Sequence, residues 1–157
     1  MSAAYEEIIE GESYRRIAPA ARHEMICNRL HQFVAAALVQ APAAKLLGTR
    51  SVIEVLTGSL IRPDLAIVTA ANNKLWLAAE VIDPSDHRVD TVRKKELYEN
   101  ARIPRLWMVD PRYNNVEVYS GGPHGLALSR ILANEELLTE PLLPEFSLPM
   151  NTLFAGA

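Results

Sequence analysis

Two carboxylates stand in segments that are otherwise apolar. Asp64 opens the run DLAIVT and Glu80 lies inside LWLAAEVI, which spans residues 75–82. Burying an unpaired carboxylate costs several kcal/mol, so each needs a cation, hydrogen-bond donors or a metal. A hairpin centred on Asn72 pairs Asp64 with Glu80 on one face, their Cβ atoms about 4.5–5.5 Å apart. Like charges at that distance repel, and a divalent ion is the natural neutraliser. A turn centred between Asn72 and Asn73 shifts the register by one and sends the two side chains to opposite faces. The plainer reading is that Asp64 is only a strand-start residue after Pro63 and Glu80 a member of a structural ion pair. The sequence leaves both registers open.

A second group lies just downstream. Asp90, Lys94 and Tyr98 are spaced four residues apart, which places them in one stripe of a helix read over residues 86–101. On a solvated face the stripe is only an Asp-to-Lys pair worth ~0.3–0.5 kcal/mol. Because the helix starts soon after Glu80, its first turns can instead lean over the carboxylates. Upstream, His23 shares a helix face with Cys27, Leu30 and Val34, as a histidine at a core edge would, and Glu24 shares one with Asn28 and His31. His31, His87 and His124 have no partner at metal-ligand spacing.

The elements that must position these groups are legible from pattern. Tyr5–Ile9 and Ser13–Ile17 flank Gly11 as a hairpin. From Ala20 to about Gln40, Met25, Ile26, Leu30, Phe33, Val34, Ala37 and Leu38 recur at helical steps, and Pro42 ends the run. Strands are read at Val52–Thr57, Asp64–Thr69, Leu75–Ile82 and Arg105–Val109, with a further hairpin, Val116–Tyr119 and Leu126–Leu132, around Gly121 and Gly122. Continuous apolar strands are covered on both faces, which makes the fold class α/β or α+β. The leucine- and proline-rich tail is read as sealing one end of the core.

Composition sets the outer bounds. The chain has 157 residues, 49% of them hydrophobic, and a net charge of −3, which describes one soluble domain over residues 1–157 with a real core. A single cysteine, Cys27, excludes an internal disulfide and any zinc site with two cysteine ligands. The acidic balance excludes a uniformly basic surface but not a local basic groove. No secretory signal and no stretch near the ~20 residues of a membrane span is present, so a cytoplasmic protein without a membrane is expected.

In order and spacing the motifs resemble a known family. They are a Gly-turn hairpin, Pro19 and His23 opening a helix, Arg62-Pro63-Asp64-Leu65-Ala66, Glu80-Val81-Ile82 before Pro84-Ser85, then Asp90, Lys94 and Tyr98. After these come Ile103-Pro104, Leu106-Trp107-Met108-Val109-Asp110-Pro111 and Leu143-Pro144-Glu145-Phe146. The set looks like the Uma-two family, bacterial restriction-endonuclease-like proteins of the PD-(D/E)xK nuclease superfamily, and it covers about residues 5–154. The resemblance implies a restriction-endonuclease-like core, a mixed central β-sheet flanked by two main helices, with extra β-hairpins.

It also implies a site. Asp64 and Glu80 would be the catalytic acids and, with the main-chain carbonyl of Val81, would hold Mg²⁺, with Mn²⁺ as a possible substitute. The superfamily's usual lysine position is Ile82 here, and Lys94 is the match for a lysine supplied by the following helix. Asp90, Tyr98, His23 and Glu24 are supporting positions. Two residues depart from the family pattern: Asp83 stands where a serine is usual, and Glu145 where a glycine is common. The implied reaction is metal-assisted hydrolysis of DNA phosphodiesters, with Arg88, Arg93 and Lys95 as nucleic-acid contacts on a segment with a small basic excess. A homodimer is expected, since two-fold nucleases match the symmetry of a duplex. The alternative is a nuclease-fold module, catalytically weak or inactive, that binds nucleic acid or a protein partner.

Overall fold

The computed structural model describes residues 3–156, and a six-stranded mixed sheet runs through its centre. Its strands are β3 (Ala44–Leu46), β6 (Leu65–Thr69), β7 (Leu75–Val81), β8 (Arg105–Asp110), β9 (Asn115–Gly122) and β10 (Gly125–Ala133). They lie in the order β10-β9-β8-β7-β6-β3, with β7 and β8 parallel and every other neighbour antiparallel. A parallel pair needs a long crossover. Here residues 82–104 supply it, and they carry the helical segment that bears Lys94.

One face of the sheet is closed by α1 (Ala21–Leu38), by the hairpin β11 (Leu137–Glu140) and β12 (Leu143–Pro149), and by the short α3 (Met150–Leu153). Ile26, Cys27, Leu30 and Val34 of α1 pack there on Leu65, Ile67, Leu77, Ala79 and Trp107. The other face is covered by a four-stranded sheet in the order β2-β1-β5-β4 and by α2 (Lys95–Asn100). Its strands are β1 (Tyr5–Ile9), β2 (Glu12–Arg16), β4 (Ile53–Leu56) and β5 (Ser59–Ile61). Ala66, Val68, Ala78, Leu106 and Met108 point to that side, between Ile9, Ile61 and Leu97. Side chains alternate along each strand, so adjacent residues feed two different cores and the strands read as unbroken apolar runs.

The α/β class, the mixed sheet and its two flanking helices match the sequence reading, and three details differ. The downstream helix begins at His87, and Val89–Lys94 are wound as a π-helix before α2 continues it. Such wide turns are rare and have no sequence signature. The strand read at 52–57 is β4, and a strand not read from the sequence, β5, follows it and pairs with β1 across the chain, Ile8 opposite Leu60. The tail forms a paired hairpin and the short edge strand β3 precedes β4, because distant partners supply hydrogen bonds that local pattern does not announce.

Candidate functional site

The hairpin β6–β7 decides whether Asp64 and Glu80 meet. Leu65 pairs with Ala79, Ala66 with Ala78 and Ile67 with Leu77, so Asp64 comes next, opposite Glu80. Near the tip the register slips, Val68 pairing with Leu75, and Trp76 is the extra residue of a bulge. The facing arrangement is therefore reached by an irregular hairpin rather than by a simple turn centred on Asn72. Asp64 is fixed by its backbone as well: its carbonyl accepts from His31 Nε2 at 2.7 Å, and its Oδ2 accepts from the Val81 amide at 2.8 Å.

From the other side of the sheet the π-helical segment brings Lys94 to Glu80. Lys94 Nζ lies 2.6 Å from Glu80 Oε2 and 2.8 Å from Glu7 Oε2, and it has no exposed surface. Tyr98, one turn later, donates its hydroxyl to the same Glu80 oxygen. Asp90 is also buried, but its partner is Arg16, whose Nη2 lies 3.0 Å from both carboxylate oxygens. Asp90, Lys94 and Tyr98 thus form a buried stripe, not a solvated face. Ile82 is fully buried in the apolar cluster that holds Ile9 and Met108.

Glu7 and Arg16 come from the N-terminal hairpin. Glu7 is completely buried, receives Arg16 Nη1 at 2.6 Å, and accepts from the Arg62 amide at 2.7 Å. Arg16 also reaches Asp86 at 2.8 Å. The sequence reading missed both residues, although a signal existed: Glu7 is in phase with Tyr5 and Ile9, so strand alternation puts it on the inward face.

On the third side lies the start of α1. His23 Nε2 is 2.8 Å from the Val81 carbonyl and 3.5 Å from Asp64 Oδ2. Arg50, from the loop before β4, donates Nε to Asp64 Oδ1 at 3.0 Å and Nη2 to Glu24 Oε1. Its guanidinium also lies over the Tyr5 ring. Arg50 is the other residue missed, and a loop arginine carries no periodic signal.

The donor set can be tested against a hard divalent cation. His23 Nε2, Asp64 Oδ2 and the Val81 carbonyl converge, and Nε2 stands 2.8 and 3.5 Å from the two oxygens. Adjacent ligands of an octahedral ion with bonds of ~2.1 Å are ~3 Å apart, so the spacing fits. Among the described residues no group of three or more His, Cys, Asp or Glu side chains forms a metal cage. Mg²⁺ does not require one, because it typically takes one or two carboxylates and completes its shell with water and phosphate.

Electrostatics sharpen the same point. Four carboxylates, Glu7, Asp64, Glu80 and Asp90, are buried against Arg16, Lys94 and the nearly buried Arg50. Burial, only partly offset by Lys94 and reinforced by Asp90, Asp64 and Glu7, pushes Glu80 up to about 8. Burial likewise pushes Asp90 up to about 6 against the pull of Arg16 and Lys94. Burial also acts on Glu7 and Asp64, but their cations and hydrogen bonds win, and both sit below the ordinary carboxylate range. Lys94 stays an ammonium, because Glu7, Glu80 and Asp90 overcome the cost of burying it. His23 is raised as Asp64 outweighs burial. Retained protons balance the charge where a divalent ion could do so instead.

The residues read as nucleic-acid contacts meet different surroundings. Arg88 is exposed. Arg93 leans toward Glu10 and Glu12, 3.8 and 3.7 Å away, and over the Tyr14 ring, while Lys95 sits 4.5 Å above the Tyr119 ring centroid. No helix among the described residues is long and apolar enough to cross a membrane.

The fold is shared with the crystal structure of "a putative nuclease belonging to DUF820 from Anabaena variabilis", with a TM-score of 0.78 at 15% identity, covering 96% of this chain and 89% of that one. The Uma2 family model, described as "Putative restriction endonuclease", matches residues 2–151, and the chain belongs to that family. No curated protein matches it.

Proposed function

We propose that this protein is a divalent-cation-dependent endonuclease that hydrolyses DNA phosphodiester bonds at the cluster of Asp64, Glu80 and Lys94. The observation that carries the reading is the meeting of Lys94 with Glu80 at 2.6 Å, on the strand whose register faces Asp64. Asp64, Glu80 and the Val81 carbonyl would hold Mg²⁺ or Mn²⁺, and His23 is placed to join or yield to it. When bound, the ion polarises the phosphate and makes a water nucleophilic at neutral pH. Lys94 orients that water and stabilises negative charge on the phosphate. Tyr98 fixes the Glu80 carboxylate, and Glu7 keeps Lys94 charged and aimed. A duplex has two strands, so cutting both at once takes two copies of the chain, and the reading includes a homodimer on DNA.

One observation favours the second reading, a nuclease-fold module that binds nucleic acid or protein without efficient cleavage. Asp64, Glu80 and Lys94 are 3%, 1% and 0% exposed, and no substrate reaches them without movement of the hairpin β1–β2 or of Arg50. The test is a cleavage assay on single- and double-stranded DNA with Mg²⁺ or Mn²⁺, alongside Glu80→Ala and Lys94→Ala. The nuclease reading expects cleavage by the natural sequence and none by either variant. Cleavage surviving both substitutions overturns the site, and absent cleavage with intact DNA binding supports the module.

A further inference from the structure

We propose that Arg50 and the divalent cation compete for Asp64, and that the released guanidinium takes the substrate phosphate, which makes Arg50 a catalytic residue for the cleavage reaction. The inference rests on the nuclease reading above and adds to it a group outside its sequence motif. Three observations carry it.

The first is position. Arg50 Nε is 3.0 Å from Asp64 Oδ1, and Nη2 binds Glu24 Oε1, so the guanidinium bridges a buried acid and one at the rim. Side-chain exposure rises outward from 0% at Lys94 and 4% at Asp64 to 10% at Arg50 and 27% at Glu24. Glu24 also lines a groove of about 930 Å³ along α1, with Asn28, Arg29 and Gln32. By the order of exposure, a phosphate approaching past Glu24 meets Arg50 before it meets Asp64.

The second is electrostatic. Asp64 accepts from the Val81 amide through Oδ2 and from Arg50 through Oδ1, so a divalent cation drawn to this carboxylate competes with Arg50 for its one negative charge. A cation on either oxygen repels the guanidinium beside it, so loading the acid with a metal weakens the Arg50 contact. A guanidinium so released is a planar fork of donors that matches phosphate oxygens in pairs.

The third is the backbone. The Arg50 amide donates to the Pro63 carbonyl at 3.2 Å, and the Arg50 carbonyl accepts from Arg62 Nη1 at 3.2 Å. The main chain is pinned beside the Pro63-Asp64 step while the side chain reaches outward. Motion of the guanidinium therefore needs only side-chain rotation.

The test uses the full chain with Mn²⁺ alone as the first probe, by calorimetry, and as the second a short fluorescent DNA duplex in Ca²⁺, by anisotropy. Arg50→Ala is expected to bind Mn²⁺ about tenfold more tightly and the duplex about tenfold more weakly, opposite changes that a merely structural role would not produce. Arg50→Lys keeps the charge but cannot span Asp64 and Glu24 as a fork, and it is expected to shift both affinities in the same directions by less. It also serves if the alanine variant fails to fold. Mn²⁺ affinity that is unchanged or weaker, or duplex affinity that is unchanged, overturns the proposal. If the natural sequence binds Mn²⁺ and cleaves DNA while both variants behave like it, the inference about Arg50 fails and the nuclease reading stands. If the natural sequence binds no Mn²⁺, both fall together.

Discussion

The two faces of the central sheet are built from alternate residues of the same strands, yet they solve different problems. Toward α1 the contacts are dry: Leu65, Ile67, Leu77 and Trp107 meet Ile26, Leu30 and Val34, and Trp107 stacks on Phe146 at 5.4 Å. Toward the N-terminal hairpin the apolar layer is interrupted by Glu7, Arg16, Glu80, Asp90 and Lys94, all buried and all paired. Apolar burial stabilises at roughly 25 cal/mol per Å² with little demand on geometry. Buried ion pairs, by contrast, roughly break even against hydrophobic replacements of equal volume. One face holds the fold together, and the other holds charges that the fold does not need.

That contrast can be broken from either side. The largest expected effect is on the dry face. Trp107→Ala should cost about 3–5 kcal/mol in urea unfolding, enough to consume much of a typical domain's stability. Trp107→Phe should cost clearly less, because Trp107 Nε1 has no hydrogen-bond partner to lose.

On the ionic face, Lys94→Ala should cost a comparable 3–5 kcal/mol, roughly, by leaving Glu7 and Glu80 buried without their ammonium. It should also abolish cleavage. The contrast then sharpens: the triple variant Glu7→Leu, Glu80→Leu, Lys94→Met should be more stable than Lys94→Ala alone while remaining inactive. If removing the three together costs more than removing the lysine, the ionic face is stabilising and the comparison is wrong.

A smaller effect separates the two acids that share Lys94, measured by urea unfolding with a chelator present. Glu80 has a folded pKa near 8, above its ordinary 4.5, so the folded state binds more protons between those values and the stability from this group falls as pH rises through them. The deficit of Glu80→Gln relative to the natural sequence should therefore shrink from about pH 5 to about pH 8. Glu7 has the opposite sign. Its pKa is depressed below 4.5, so its stabilisation is present above that value and is lost as pH falls through the folded pKa. The deficit of Glu7→Gln should be full at neutral pH and shrink in acid. Parallel trends for the two variants would show that the lysine does not distinguish them.

The smallest effect lies at the surface. Arg88→Ala should change stability by less than about 0.5 kcal/mol. If this residue contacts phosphate, the salt dependence of DNA binding should lose about one unit of slope. An unchanged slope would remove Arg88 from the interface.

The difference between the faces also explains what could be read in advance. Asp64 and Glu80 were visible because each breaks an apolar run, and Lys94 because its stripe with Asp90 and Tyr98 follows Glu80 closely. Glu7 was legible in principle from its phase in β1, but an acidic strand beside a Gly turn reads equally well as an exposed hairpin. Arg50 was not legible, since its role comes from a loop folded back on Pro63, and no spacing in the chain encodes that contact. The strand β5 escaped for a related reason: its partner β1 lies far away in sequence.

The bulge at Trp76 has a consequence for how this hairpin tolerates change in length. Because Val68 pairs with Leu75 and Ile67 with Leu77, the tip and the base of the hairpin run in separate frames joined by one spare residue. Removing that residue would merge the frames without moving Asp64 from Glu80. Losing a residue from the Ala78–Ala79 step would instead carry Glu80 to the opposite face of the sheet. Insertions and deletions can therefore accumulate at the tip of this hairpin, while the few residues between the bulge and Glu80 admit none.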